Sequence, residues 1–274
     1  MWLLLNHLTS TVVLTFILPI IIFIFTNLAF RNILINSIYD ISFEVWIYPS
    51  MIFLVSSLCI TPSIFRDLFD LRIHKKVFTY LSISPWSKQS LVSSILIVSL
   101  VEALTVALFV LILYSFIIPH PFNFLETIAL LIYLMIFILV FGNILITISI
   151  ISDKSATYLL SVMILFFFIL FGSGLIIEFS FFPTSIGYLL SIFPTSMVVI
   201  AMQSYLFSGF INWGLTTLPI LISIGILLIN SILIRNKLRQ WYINCMVLLN
   251  TLKASVLTCE KKLLFGQLII LIRA

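Results

Sequence analysis

FRDLFDLRIHKKVFTYLSISPWSK, residues 65–88, is the longest polar interval in an otherwise apolar chain. Five of the fourteen Lys and Arg residues fall within it (Arg66, Arg72, Lys75, Lys76 and Lys88), as do two of the nine acids, Asp67 and Asp70. Phe65, Phe69, Ile73, Val77 and Leu81 recur every four positions, which predicts a helix with one slowly drifting apolar stripe. Asp67, Asp70, His74 and Lys75 lie off that stripe. Ser84-Pro85 then breaks the helix, and Trp86 marks the return of the chain to a membrane interface. A basic amphipathic helix between two apolar runs is either a loop resting on the inner lipid surface or a docking element for a cytoplasmic partner. The rest of the chain has to decide between them.

The surrounding sequence requires lipid as its solvent. It is 62% hydrophobic and 8% charged over 274 residues, with a mean hydropathy of +1.30 and 26 Phe. A water-soluble domain of this length has too little polar surface at that composition. The formal net charge of +5 sits at the ends of apolar runs, where it sets orientation in a bilayer rather than binding nucleic acid. Three scattered cysteines, Cys59, Cys245 and Cys259, do not make a disulfide framework. The first apolar run has no basic leader or small-residue cleavage site and is expected to be retained.

Six runs are long enough to cross about 30 Å of hydrocarbon at roughly 20 residues each. They lie near 11–29, 45–64, 90–116, 126–150, 157–176 and 213–234. Continuous apolar runs, with no lipid partner for the backbone, must be helices. If residues 65–88 are cytoplasmic, that side up to residue 240 carries Arg66, Arg72, Lys75, Lys76, Lys88, Lys154, Arg235, Lys237 and Arg239, against Arg31 alone outside. This positive-inside bias puts both termini in the cytoplasm of a multi-pass cell-membrane protein. Trp46, Tyr48, Tyr114 and Trp213 then fall at outer ends, and Trp86, Trp241 and Tyr242 at inner ends.

Between Gly172 and Phe210 the sequence is apolar but broken by Gly174, Pro183, Gly187, Pro194 and Gly209. Short half-helices that dip into the outer leaflet and return fit this pattern; an apolar outer loop packed on the bundle is the other reading. Residues 241–274 mix short apolar pieces with Lys253, Glu260, Lys261, Lys262 and Arg273, as expected of a cytoplasmic or interfacial tail.

Recognisable chemistry is sparse. There is no phosphate-binding Gly-Lys-Ser/Thr loop, no HExxH, and no Cys/His spacing for a metal. Glu102 is the one acid deep within an expected span. It is either a substrate or proton site, or a group protonated or hydrogen-bonded across a helix interface. Gly142-Asn143 reads first as a packing motif, with a small residue for close approach and an amide for an interhelical hydrogen bond. Glu178, just past the fifth run, either selects cationic substrates or faces water. Glu102, Asn143 and Glu178 are the candidates for a translocation path.

The order of these elements resembles the permease subunit of ABC-2 type ABC transporters. Leu81, Ser84, Pro85 and Ser87 match the "L-x-x-(S/T)-P-x-S" element that ends the family's charged coupling helix. Gly174, Pro183, Pro194, Thr195 and Gly209 match its re-entrant helices and the turn before the last span. The likeness covers roughly residues 11–240. It departs at MWLLLNHLTS, where the family often has a basic helix, and at the apolar tail. The resemblance implies an all-α membrane domain over residues 1–240, with six transmembrane helices, a cytoplasmic coupling helix between spans two and three, and re-entrant outer half-helices before span six. It implies a dimer with a second copy or a sister permease. It also implies separate ATPase subunits, which would carry the ATP and Mg²⁺ while this chain holds no cofactor and catalyses nothing itself. Docking would fall to Arg66, Asp67, Phe69, Asp70, Arg72, Ile73, Lys75, Lys76 and Val77. The competing class is a non-transport membrane protein, either a scaffold or immunity protein or an intramembrane enzyme.

Overall fold

A computed structural model describes residues 43–74, 87–117 and 122–237, with isolated positions at 17, 20, 21, 24, 25 and 239. The first expected span, the segment 75–86 with Lys75, Lys76, Val77, Leu81, Ser84 and Pro85, and the tail after residue 240 lie outside the described residues. Within them the chain is helical and contains no strand.

Helix α1 (Phe43–Ile64) does not stop where the apolar run ends. It continues through a π-helical turn (Phe65–Asp70) into a last α-turn (Leu71–Ile73), with helical backbone at both joins. Val45–Ile73 is thus one 29-residue rod. At 1.5 Å per residue it is about 43 Å long, some 13 Å more than the hydrocarbon of a bilayer. The sequence places an amphipathic helix after span two; the structure instead makes its first half the direct extension of that span. The period of four explains why. An α-turn holds 3.6 residues and a π-turn, bonded i→i+5, holds more, so a π segment cancels the drift of a stripe spaced by four. Pro62 removes a backbone donor three residues before this turn.

Four further helices are long and apolar enough to span: α2 (Lys88–Ile117), α3 (Phe124–Ile151), α4 (Ser155–Gly172) and α7 (Trp213–Lys237). With α1 they correspond to five of the six expected runs. Their starts are set locally. Asn123 and Glu126 form a capping box on α3, Glu126 Oε2 accepting from the Asn123 N–H at 2.7 Å. Asn212 Oδ1 accepts from the Leu215 N–H at the start of α7, at 3.3 Å.

The α1 rod is the centre of the bundle. Over its most apolar 18 residues, 83% of α1 is buried inside the protein, against 22% for the same length of both α4 and α7. Phe53 of α1 packs on Phe137 of α3 with centroids 5.0 Å apart. Gly142 of α3 sits where α1 and α2 converge; a Cβ there would lie 2.8 Å from Leu96 Cδ1 and 3.0 Å from Ile60 Cδ1. The outward face of α4 shows Leu160, Met163, Ile164 and Phe167, as a lipid-facing helix must.

Between α4 and α7 lie two shorter helices, α5 (Thr184–Ser191) and α6 (Pro194–Ser208), bent from one another by 96°. Each break in the sequence has a structural task. Gly174 takes φ +82°, and Pro183 stands at the N-cap of α5. Gly187 passes the Phe179 carbonyl, which a Cβ would approach to 3.1 Å. Pro194 opens α6 at the position where its missing N–H costs nothing. Gly209 closes α6 at φ +67°, its N–H bonding Tyr205 O while the Phe210 N–H bonds Ser204 O.

Candidate functional site

The end of the α1 rod gathers most of the polar chemistry. Arg66 is half-exposed and forms a fork with its neighbour Asp67, Nε to Oδ1 at 2.7 Å and Nη2 to Oδ2 at 3.3 Å. The same Nη2 reaches Glu102 Oε1 on α2 at 3.1 Å. Glu102 therefore has a partner, which composition alone does not name. Side chains lean toward the N-terminus of their own helix. In the antiparallel α1–α2 pair, Arg66 and Glu102 consequently lean toward each other. Ser63 Oγ and Ser99 Oγ meet 3.3 Å apart beside them and continue the polar seam.

Three of the expected docking residues pack wholly or partly within the chain. Phe69 is fully buried, its ring 4.9 Å from Tyr158 of α4 and 5.3 Å from Phe65. Ile73 is half-buried against the core. Arg72, only 4% exposed, donates through Nη1 to Ile150 O at 2.6 Å and through Nη2 to Ser152 O. Those carbonyls belong to the C-terminal turn of α3, where a cation is favoured and carbonyls lack intrahelical partners. Asp153 completes the cluster, 3.4 Å from Arg72 Nη1, and Lys237 Nζ at the end of α7 holds the same carboxylate at 3.0 and 3.1 Å. The ends of α1, α3 and α7 are thereby tied at one point. Asp70 Oδ1, 3.1 Å from His74 Nδ1, is half-buried, and His74 is exposed.

Asn143 occupies a second polar seam, between α3 and α7. Its Nδ2 donates to Leu139 O at 3.0 Å and to Ser223 Oγ at 2.8 Å. Its backbone carbonyl accepts from Asn230 Nδ2 at 3.0 Å, and Thr147 Oγ1 lies 2.8 Å from Asn230 Oδ1. The close approach at Gly142 and the interhelical amide bond coexist, as the packing reading of this pair expects. Ser223 and Asn230 carry only a weak signal in the sequence. Two polar residues seven apart in an apolar span share a helix face, and that was the available signal.

Glu178 is 9% exposed and does not face water. It lies in the link between α4 and α5, before the turn Phe179–Phe181. The α5–α6 pair folds back on the end of α4: Gln203 Nε2 donates to Gly174 O at 3.0 Å and Ser196 Oγ lies 3.4 Å from Gly172 O. Arg66 and Glu102 are thus brought together, while Asn143 and Glu178 belong to separate surroundings.

Neither a family model, nor a curated protein, nor a solved structure matches the chain. Its function has to be read from the order of its elements and the chemistry they assemble.

Proposed function

We propose that this chain is the permease subunit of an ATP-driven exporter of the ABC-2 type, lying in the cell membrane with both termini cytoplasmic. It would form half of a translocation path, the other half coming from a second copy or a sister permease. A separate ATPase would supply the energy. The observation that carries the reading is the bent α5–α6 pair immediately before the last span, folded onto α4 by Gln203 and Ser196. Irregular backbone in an apolar setting is stable only when buried in protein or lining a cavity. Two short apolar helices of this kind suit one end of a path.

Docking then divides along the α1 extension. Phe69 and Arg72 hold its base against the chain's own α3 and α4. The face for an ATPase is left to Asp70, His74 and the residues that follow, including Lys75, Lys76 and Val77. Substrates of an apolar kind, such as lipids, drugs or hydrophobic peptides, suit the short outer links. The test is purification of the full-length protein in mild detergent with mass spectrometry of what accompanies it. An ATPase in the eluate, lost on Asp70→Lys, is the expected result. No ATPase under several mild conditions would sink the reading and favour the scaffold or enzyme class.

A further inference from the structure

The ion cluster between α1 and α2 is not balanced. Arg66 is one cation shared by two carboxylates, through its fork to Asp67 and its 3.1 Å contact with Glu102, which leaves one negative charge over. Glu102 stands near the middle of the apolar span Lys88–Tyr114, fourteen residues from Lys88 and twelve from Tyr114. Its side chain is 46% exposed, and among the described residues its Oε2 meets no partner. The surface beside it is apolar. Val98 and Val101 are exposed, Val106 is half-buried, and the Thr105 hydroxyl is turned back on the Glu102 carbonyl at 2.7 Å. A charge in such a place is costly unless a counter-charge or water reaches it.

The chain itself has no second cation to offer there. None of its six apolar runs contains a Lys or Arg, so neither the first run nor the spans of a second copy bring a positive charge to mid-span. An anionic lipid is repelled, and an acyl chain or an alcohol leaves the charge in place. A hydrated metal ion answers the charge but not the valines around it. The class that answers both is a cation with an N–H donor on an apolar body. We propose that the Arg66–Asp67–Glu102 cluster binds an amphiphilic amine from the bilayer, its ammonium donating to Glu102 Oε2 and its hydrocarbon lying on Val98, Val101 and Val106. The lean of the side chain fits this. Glu102 tilts toward the N-terminus of α2, over Val98 one turn before it on the same face. The site is independent of the transport reading, since a permease and a scaffold could both carry it.

Photolabelling of the full-length protein in phosphatidylcholine nanodiscs with a diazirine-bearing octylamine, against the matched octanol and octanoic acid, tests the proposal. The amine should label the α2 peptide that contains Glu102 about tenfold more than the alcohol at equal membrane concentration, and the acid least. Glu102→Gln should bring the amine down to the yield of the alcohol. Because Glu102→Gln also loosens Arg66, Val98→Trp serves as the second variant; it keeps the ion pair, covers the carboxylate and should cut the amine labelling. Asp153→Asn, which removes an acid outside the cluster, should leave the preference as it was. An ethanolamine phospholipid added to the nanodiscs should compete if a lipid supplies the amine, and fail to compete if a free amine does. Equal labelling by amine and alcohol, strongest labelling by the acid, or an amine preference that survives Glu102→Gln would each overturn it.

Discussion

Replacing Arg72 with Met removes a buried cation from three acceptors while keeping the apolar length of the side chain. In the native protein its guanidinium donates to Ile150 O and Ser152 O and lies 3.4 Å from Asp153 Oδ1. A hydrogen bond to a charged group is worth about 1.5–3 kcal/mol, and a buried acceptor left without a donor costs about 1–3 kcal/mol. These contributions overlap, so the expected loss is about 3–5 kcal/mol, typical of breaking a buried charged contact by removing one partner. At roughly 2–4 °C per kcal/mol for a chain of this size, Arg72→Met should lower the melting temperature by about 10 °C. Thermal unfolding followed by tryptophan fluorescence in detergent measures it. Arg72→Lys keeps the charge but cannot fork between two carbonyls, and should fall between. Asp153→Asn removes a carboxylate that is 62% exposed and should cost less than about 1 kcal/mol. An Arg72→Met protein as stable as the original would refute the carbonyl-capture account. If Asp153→Asn were as damaging as Arg72→Met, the ion pair rather than the captured helix end would be what holds the cluster.

Gly142→Val should destabilise the bundle by about 2–3 kcal/mol, because branched methyls cannot share the space held by Leu96 and Ile60, and Gly142→Ala by less; the same melting assay ranks them. Gly174→Ala should cost more than Gly209→Ala. Both sit at positive φ, with a penalty of about 1–2 kcal/mol, but a Cβ on Gly174 would lie 2.5 Å from the Phe179 ring, whereas nothing stands within 4 Å of one on Gly209. Asn123→Cys and Ser155→Cys flank α3 at opposite ends. A membrane-impermeant thiol reagent applied from outside should label the first and reach the second only after permeabilisation; the reverse pattern would invert the topology.

The spans were legible because a long apolar run is a local signal. The runs near 90–116 and 126–150 became Lys88–Ile117 and Phe124–Ile151, shifted only by caps such as the Asn123–Glu126 box. The breaks at Gly174, Pro183, Pro194 and Gly209 were equally legible, since positive φ and a missing N–H belong to the residue itself. What composition could not show was pairing at a distance. Arg72 reads as a polar contact for a docked partner, yet the carbonyl of Ile150 that buries it lies 78 residues away. Glu102 reads as a lone acid at depth because Arg66 lies 36 residues back, on the neighbouring helix. The spacing of four through Phe65, Phe69 and Ile73 was correctly apolar, but nothing in it distinguishes a stripe for a partner from one packed on Tyr158.

That last difference changes how work could pass through the molecule on the permease reading proposed above. A coupling helix connected only by its flanking spans would move α1 and α2, with α3 and α7 following through packing. Here the base of the helix is pinned directly to the ends of two other elements, Arg72 to the last turn of α3 and, through Asp153, to Lys237 of α7. A displacement of the segment after His74 therefore loads α3 and the last span together with α1. The two connections differ in strength. The Arg72–carbonyl contact is buried and resists salt, whereas the Asp153–Lys237 pair has one side chain 62% exposed and weakens as ionic strength rises. The last span is thus the element most readily released from the cluster. It is also the one whose polar face, Ser223 and Asn230, is matched to α3 by hydrogen bonds that limit how far it can slide.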